Sequence, residues 1–270
     1  VSGDYAYVAD WNSGLQIIDI SNPTSTTLTG TYSTSGNAGG VSVSGNYAYV
    51  AEGNVGLEII DISNPALPTL VGTYNTSGTA YQVSVSGNYA YVADGNAGLQ
   101  IIDISNPALP TVIGSCLAED TLYGFNYALG VSINGNYTYV ADGFNGLQII
   151  DISNPSSPIL IGAKDTWGAE YEVSVSGNYA YVAAEYRFKS FDISSACTLD
   201  SLKLVIGVSG CTDSLAFNYN PSALCDDSSC IAVVNGCTDP NSCNYDSTAT
   251  TDDGSCTYPI TSTTNITICD

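Results

Sequence analysis

The sequence predicts an all-β chain: a β-propeller of about five four-stranded blades, followed by small disulfide-rich modules. Three observations predict this. A passage of about 42 residues occurs five times, and the copies opening at Val41 and Val83 both read V-S-V-S-G-N-Y-A-Y-V-A before continuing G-L-(E/Q)-I-I-D-I-S-N-P-A-L-P-T. The anchors Gly3, Gly45 and Gly87 lie 42 residues apart, Gly135 follows 48 later and Gly177 another 42. A period in the forties with strand-like content is the size of one propeller blade. Finally, seven of the nine cysteines crowd between Cys211 and Cys269, as in a stapled module from an oxidising compartment.

In the second copy, residues 41–44 form a first strand, and Gly45-Asn46 makes a tight hairpin turn. Residues 47–51 form the second strand, with Tyr47 and Tyr49 on one face. The loop Glu52-Gly53-Asn54-Val55-Gly56 leads to a third strand at 57–62. Ser63-Asn64-Pro65 turns the chain into a fourth strand at 69–74, and Asn75-Thr76-Ser77-Gly78 leads to the next copy. Asp19, Asp61, Asp103, Asp151 and Asp192 precede the third-strand turns and read as caps. Asp10, Glu52, Asp94 and Asp142 end successive second strands; they would circle one rim and also read as turn chemistry.

Y-A-Y-V-A-D, G-L-Q-I-I-D-I-S-N-P and L-V-G-T-Y together resemble the LVIVD repeat, over residues 1 to about 207. The resemblance implies a propeller of a secreted or surface-attached bacterial protein and carries over no catalytic residues. Two places depart from the pattern. In the fifth copy Ala183-Ala184-Glu185-Tyr186-Arg187-Phe188-Lys189 replaces the D-G-N-x-G loop, and Cys197 stands at the turn. That blade reads as a terminal one adapted to its place, or, through Arg187 and Lys189, as a docking patch for an acidic surface. Before the fourth repeat, an insertion at 115–129 carries Cys116, Glu119, Asp120, Tyr123, Phe125 and Tyr127. It is either a binding loop on one propeller face or a longer, self-packed connection.

Two Cys- and Asp-rich modules follow, at 208–232 and 233–258, and residues 259–270 form a tail or open a further segment. Each contains G-C-T-D, then N-Y, then D-D-x-S-C, with Cys211 and Cys237 spaced 26 apart like Cys230 and Cys256. They resemble small modules found in tandem in secreted bacterial surface proteins. Equivalence suggests Cys211–Cys230 and Cys237–Cys256 bridges. Cys225 and Cys243, which lack counterparts, could pair with each other, and Cys116, Cys197 and Cys269 then leave an odd thiol. Sequence cannot establish that connectivity. Such modules are too small to fold on apolar burial alone. Asp213, Asn218, Asp226 and Asp227 in one, with Asp239, Asn244, Asp252 and Asp253 in the other, are hard oxygen donors suited to calcium, or else turn caps.

Composition narrows the function. Four basic residues (Lys164, Arg187, Lys189, Lys203) face 26 acidic ones, a net charge of −22, which repels nucleic acid and anionic membranes. The chain has no histidine, which removes the commonest general base and zinc ligand. No apolar run approaches membrane-spanning length. No leader is visible, and because Val1 aligns inside a first strand the expectation is a mature or trimmed chain. Asn75, Asn136 and Asn265 open N-linked acceptor patterns, and Thr121, Ser201, Ser214 and Ser247 sit in a D-(S/T) pattern that some bacteria O-glycosylate.

The first expectation is therefore a secreted, non-enzymatic scaffold at a bacterial cell surface. It would self-associate into a filament, layer or matrix, with no cofactor other than calcium. The alternative is an adhesion module that binds a glycan or surface protein through Trp11, Phe144, Trp167 and the Tyr123–Tyr127 insertion. A hydrolase or lyase using paired carboxylates is the third, and nothing singles out a pair for it.

Overall fold

The structure, a computed structural model, describes residues 1–117, 127–164, 168–185, 187–193, 208–211, 213–219, 223–226, 230–258, 260–261 and 267–268, with backbone alone for 208–210, 223–226, 260–261 and 267–268. The chain divides into two compact units, Val1–Ser195 with Asp200–Val205, and Ala196–Leu199 with Ile206–Asp270. No helix occurs among the described residues, so none is long and apolar enough to cross a membrane.

The first unit is a five-bladed β-propeller. Its first blade comprises β1 (Tyr5–Ala9), β2 (Leu15–Asp19) and β3 (Thr27–Tyr32). The second is β4 (Gly40–Ser44), β5 (Tyr47–Ala51), β6 (Leu57–Asp61) and β7 (Thr69–Tyr74), and the third is β8 (Gln82–Ser86), β9 (Tyr89–Ala93), β10 (Leu99–Asp103) and β11 (Thr111–Cys116). The fourth runs through β12 (Gly130–Asn134), β13 (Tyr137–Ala141), β14 (Leu147–Asp151) and β15 (Ile159–Lys164). The fifth has β16 (Glu170–Ser176), β17 (Tyr179–Ala184) and β18 (Arg187–Asp192). Each blade is an antiparallel meander in sequence order. The Gly-Asn turns form as expected: Gly45 takes φ +56°, the left-handed backbone that a primed hairpin turn with glycine first requires.

The repeated I-I-D-I is explained by packing. Both faces of an interior blade are covered, so adjacent isoleucines point opposite ways and both are buried. Tyr49, Ala51, Leu57 and Ile59 pack on Val83, Ala90, Val92, Ile102 and Ile104 of the next blade. Tyr91, Ala93, Leu99 and Ile101 repeat the contact on Val131, Val140, Ile150 and Ile152. Full burial of such a side chain stabilises the fold by about 1.5–3 kcal/mol. The glycine of L-V-G-T-Y has its own reason. A Cβ at Gly72 would lie 2.1 Å from the Pro107 carbonyl oxygen, so the fourth strand lets the next blade's Ser-Asn-Pro turn come against its backbone. The two motifs are halves of one contact.

The first strands β4, β8, β12 and β16 pack side by side around the axis. There Gln82 Nε2 donates to Glu172 Oε2 at 3.0 Å, two blades away. Gly40 makes room, since a Cβ on it would sit 2.0 Å from Gln82 Oε1. The end blades differ from the interior ones. Val8 is 40% exposed where Val50 and Val92 are fully buried. On the fifth blade, Phe188 and Ser190 occupy the register positions of Leu57 and Ile59, and Phe188 is 73% exposed. Tyr181 stacks on the Phe188 ring at 6.0 Å.

The second unit is built of short strand pairs: β19 (Val208–Gly210) with β20 (Ala223–Asp226), β21 (Asn235–Gly236) with β22 (Thr251–Asp252), and β23 (Ile260–Thr261) with β24 (Thr267–Ile268). Cys211–Cys230 and Cys237–Cys256 are disulfides. Cys243 is also disulfide-bonded, while the side chain of Cys225 and all of Cys197 and Cys269 lie outside the described residues. The two modules share one hydrogen-bond plan. Phe217 N donates to Ile231 O as Cys243 N does to Thr257 O, and Ile231 N donates to Asn218 Oδ1 as Thr257 N does to Asn244 Oδ1.

Candidate functional site

The loops after each second strand and the linkers entering the next blade share one end of the propeller. They are joined there by paired backbone bridges: Trp11 with Ala38, Gly53 with Ala80, Gly95 with Ala128 and Gly143 with Glu170. Glu52, Asp94 and Asp142 stand beside these bridges, but not as exposed rim groups: they are fully or almost fully buried. Each holds the linker that enters its own blade. Asp94 accepts from Thr76 Oγ1 at 2.6 Å and Gly78 N at 2.8 Å. Asp142 accepts from Tyr127 N, and Glu52 from Gly36 N at 3.2 Å. A clamp on the incoming linker thus stands where local turn chemistry was expected, although Asp142 also accepts locally from Asn145 Nδ2 at 3.3 Å, and only Asp10 of this set is exposed. Burial raises the pKa of Asp94 and of Asp142, with the hydrogen bonds pulling the other way. Glu52 is pushed up to about 7, chiefly by burial and further by Glu58, against hydrogen bonds from Thr34 and Gly36.

Four of the five residues of the other acidic set are as expected. Asp19, Asp61, Asp103 and Asp151 each accept the N–H of the serine two residues on, at 2.8 Å. The serine hydroxyl and then this N–H hold Asp19 and Asp61 below their ordinary pKa, and for Asp103 the N–H leads and the hydroxyl adds to it.

The same propeller end carries aromatic and amide side chains. Trp11 occupies the position filled by Gly53, Gly95 and Gly143 in the next three blades. Those glycines have φ between +51° and +53°, and Trp11 has φ +41°, the only positive φ of a non-glycine residue among the described residues. A side chain in this region costs about 1–2 kcal/mol, yet the indole is 59% exposed and so is not held there by core packing. A cleft of about 300 Å³ opens beside it, lined by Asn37, Asn54, Thr79 and Tyr81 among others. Thr79 Oγ1 donates to Asn54 Oδ1 at 3.0 Å. The Tyr81 and Tyr127 hydroxyls are 2.6 Å apart, their rings 5.5 Å between centroids. Burial and this contact push Tyr81 up to about 12. Phe144, next to Gly143, is 59% exposed.

The remaining expected residues fall as follows. Arg187 is exposed and Lys189 half-buried on β18, at the register position that Glu58 holds in the second blade. Tyr127 is in the aromatic pair, while Tyr123, Phe125 and Trp167 lie outside the described residues. Asn75 and Asn136 are exposed, although Thr138 of the second acceptor pattern is fully buried. Ser214 and Ser247 are exposed, and Thr121, Ser201 and Asn265 lie outside the described residues.

The expected calcium donors serve as caps where they are described. Asp213 accepts from Leu215 N, Asp239 from Asn241 N and Tyr258 Oη, Asp252 from Gly254 N, and Asp253 from Ser255 N. Asn218 and Asn244 accept the backbone bonds of the shared plan above. The Asp226 side chain and Asp227 lie outside the described residues. Among the described residues no three carboxylate, cysteine or histidine side chains converge to hold a metal ion.

Sequence reasoning placed Trp11 on the loop face but missed Asn37, Asn54, Thr79 and Tyr81 as its neighbours. The available signal was D-W-N at 10–12 against E-G-N, D-G-N and D-G-F in the copies that follow.

Among solved structures, the chain is similar to the Cps50 (Swd1) β-propeller domain of Myceliophteria thermophila (15% identity, TM-score 0.56, 76% of this chain and 67% of that one). It is also similar to a functionally unknown protein from Desulfotomaculum acetoxidans (16%, 0.55, 70% and 64%) and to the computationally designed Ika8 protein (9%, 0.55, 72% and 57%). The chain thus spans less than two thirds of the length of the last two, and at these identities the likeness is one of fold alone. No curated protein matches it. Five successive segments, residues 1–34, 35–76, 77–118, 126–166 and 168–196, match the LVIVD repeat, and since they cover more than half of the chain, it belongs to the LVIVD-repeat family.

Proposed function

We propose that this chain is an extracellular, non-catalytic recognition module whose ligand-facing surface is the loop end of the propeller. The observation that carries the reading is the division of labour at that end. The buried carboxylates clamp linkers, whereas the exposed side chains, Trp11, Asn54, Tyr127 and Phe144, are aromatic or amide groups suited to contact. Disulfides in the second unit support an oxidising, extracellular location. The test is a binding screen of the intact chain against glycans and bacterial surface proteins, alongside the same chain carrying Trp11→Gly and Phe144→Gly together. Binding that the double variant lacks supports the reading. Equal binding by both proteins moves recognition off this end.

A second reading, a self-assembling scaffold, is favoured by the fifth blade, where Arg187 and Phe188 are exposed on a chain that is otherwise strongly acidic. Another copy's acidic surface would meet its charge complement there. Electron microscopy of the purified chain at low and high salt tests it. Ordered polymers that dissolve with salt support assembly, and single particles in both conditions remove it.

A further inference from the structure

Resting on the recognition reading above, we infer that the cleft beside Trp11, at the junction of the first three blades, binds a neutral pyranoside of a carbohydrate chain. Three blades place glycine at the left-handed position after the second strand, and the first places tryptophan there, in the same conformation. Two backbone hydrogen bonds hold it, Trp11 N to Ala38 O at 3.0 Å and Ala38 N to Trp11 O at 3.1 Å. Glycine would occupy this position without strain and lose no core contact, since most of the indole is exposed. Strain kept at one exposed aromatic residue of a repeated fold points to use of that side chain.

The surroundings define the use. The cleft of about 300 Å³ is at the small end of ligand pockets. None of the residues lining it carries a charge: beside the indole stand the Asn37 and Asn54 amides, the Thr79 hydroxyl and the Tyr81 phenol. The Thr79 hydrogen bond engages Asn54 Oδ1, which leaves the amide to present N–H donors. The contact with Tyr127 holds the Tyr81 hydroxyl in place. A flat apolar ring face bordered by fixed amide and hydroxyl groups complements a pyranose, which has a C–H face and a rim of hydroxyls. The net charge of −22 disfavours sialylated or uronic-acid sugars in an uncharged cleft that offers no cation to pair with them.

The experiment applies the intact chain to an array of neutral oligosaccharides (manno-, gluco-, galacto- and N-acetylglucosamine series) with sialylated counterparts, then titrates the best binder calorimetrically. Binding to neutral members and exclusion of sialylated ones is expected. Trp11→Gly, which installs the residue of the other blades, should weaken binding at least tenfold while the protein unfolds at the same or a higher temperature. Tyr81→Phe should weaken it severalfold. Unchanged binding by Trp11→Gly overturns the cleft but leaves the recognition reading, because the sugar then binds elsewhere. Absence of binding to every neutral glycan at millimolar concentration overturns the carbohydrate assignment, and capture of a surface protein through the same propeller end would then preserve recognition with another ligand.

Discussion

The interior blades keep Leu57, Ile59, Leu99 and Ile101 at or near zero exposure, whereas the cysteine-rich modules leave Leu215, Phe217, Tyr219 and Tyr245 largely in solvent and bury Cys211 and Cys237. One chain thus uses two ways of stabilising structure. The propeller buries both faces of each interior sheet, and its clamps are needed only where linkers cross between blades. The modules cannot remove enough apolar surface from water, so covalent links and short Asx-type caps take that role. Local order in the modules therefore depends on redox state, and that of the propeller on packing.

The largest expected effect separates the two directly. Replacing Cys237 and Cys256 together with serine should cost module two about 2–5 kcal/mol, enough to unfold it. Amide exchange at 235–258 should become fast while the propeller strands stay protected, and equal loss of protection in both units would break the comparison. The converse is Ile101→Ala, a cavity in the core between the third and fourth blades. It should cost about 2–5 kcal/mol in urea unfolding of the propeller and leave the module's exchange unchanged. By contrast, Leu215→Ala should stay within about 0.5 kcal/mol.

The clamps lie between these extremes. Asp94→Ala leaves the Thr76 hydroxyl and Gly78 N–H without their acceptor, a cost of about 1–3 kcal/mol. Removing the exposed cap in Asp61→Ala should cost about 1 kcal/mol or less. Urea midpoints of the two variants check that order.

The smallest effect is the share of the pH dependence that Glu58 adds in the second blade, on top of the raised pKa values of Glu52, Asp94 and Asp142. The clamp residue Glu52 feels the charge of Glu58, where the equivalent positions of the first, third and fourth blades hold an aspartate and Gln16, Gln100 and Gln148, which donate to backbone carbonyls. The folded-state pKa of Glu52, about 7, lies above the ordinary 4.5. The protonated form therefore fits the fold better, and its contribution is fully present below about pH 4.5 and is lost as pH rises through 7. Unfolding midpoints should fall between pH 5 and 8. Glu58→Gln removes one of the two causes and should flatten that fall and raise the midpoint at pH 8. A steeper fall would show that Glu58 relieves the clamp rather than burdening it.

Much of this was legible in the residues. The 42-residue spacing, the Gly-Asn turns, the Asp-Ser-Asn-Pro caps and the pairing of Cys211 with Cys230 and of Cys237 with Cys256 rest on chemistry within a few residues or on repetition, and both are visible in a string of letters. The doubled isoleucines at 59–60 and 101–102 carried a further signal, of sheets covered on both faces, that the sequence reading did not use. The clamps were harder to see. Asp94 precedes a Gly-Asn loop, the signature of an exposed turn, but its partners are Thr76 and Gly78, in the linker 16 to 18 residues earlier.

By itself, then, the sequence determined the number of blades, the strand pattern within each and the stapled character of the tail, because local turn chemistry and period-two alternation repeat at fixed spacing. Only the tertiary structure decided that Glu52, Asp94 and Asp142 lie inside and that Trp11 adopts the backbone of a glycine. It also decided that Asn37, Asn54, Thr79 and Tyr81, spread over more than forty residues, meet at one cleft. The physical reason is that each of these depends on how a linker and loop from successive blades come together around a common axis. Repeat identity specifies that such a meeting occurs but not which side chains face one another there.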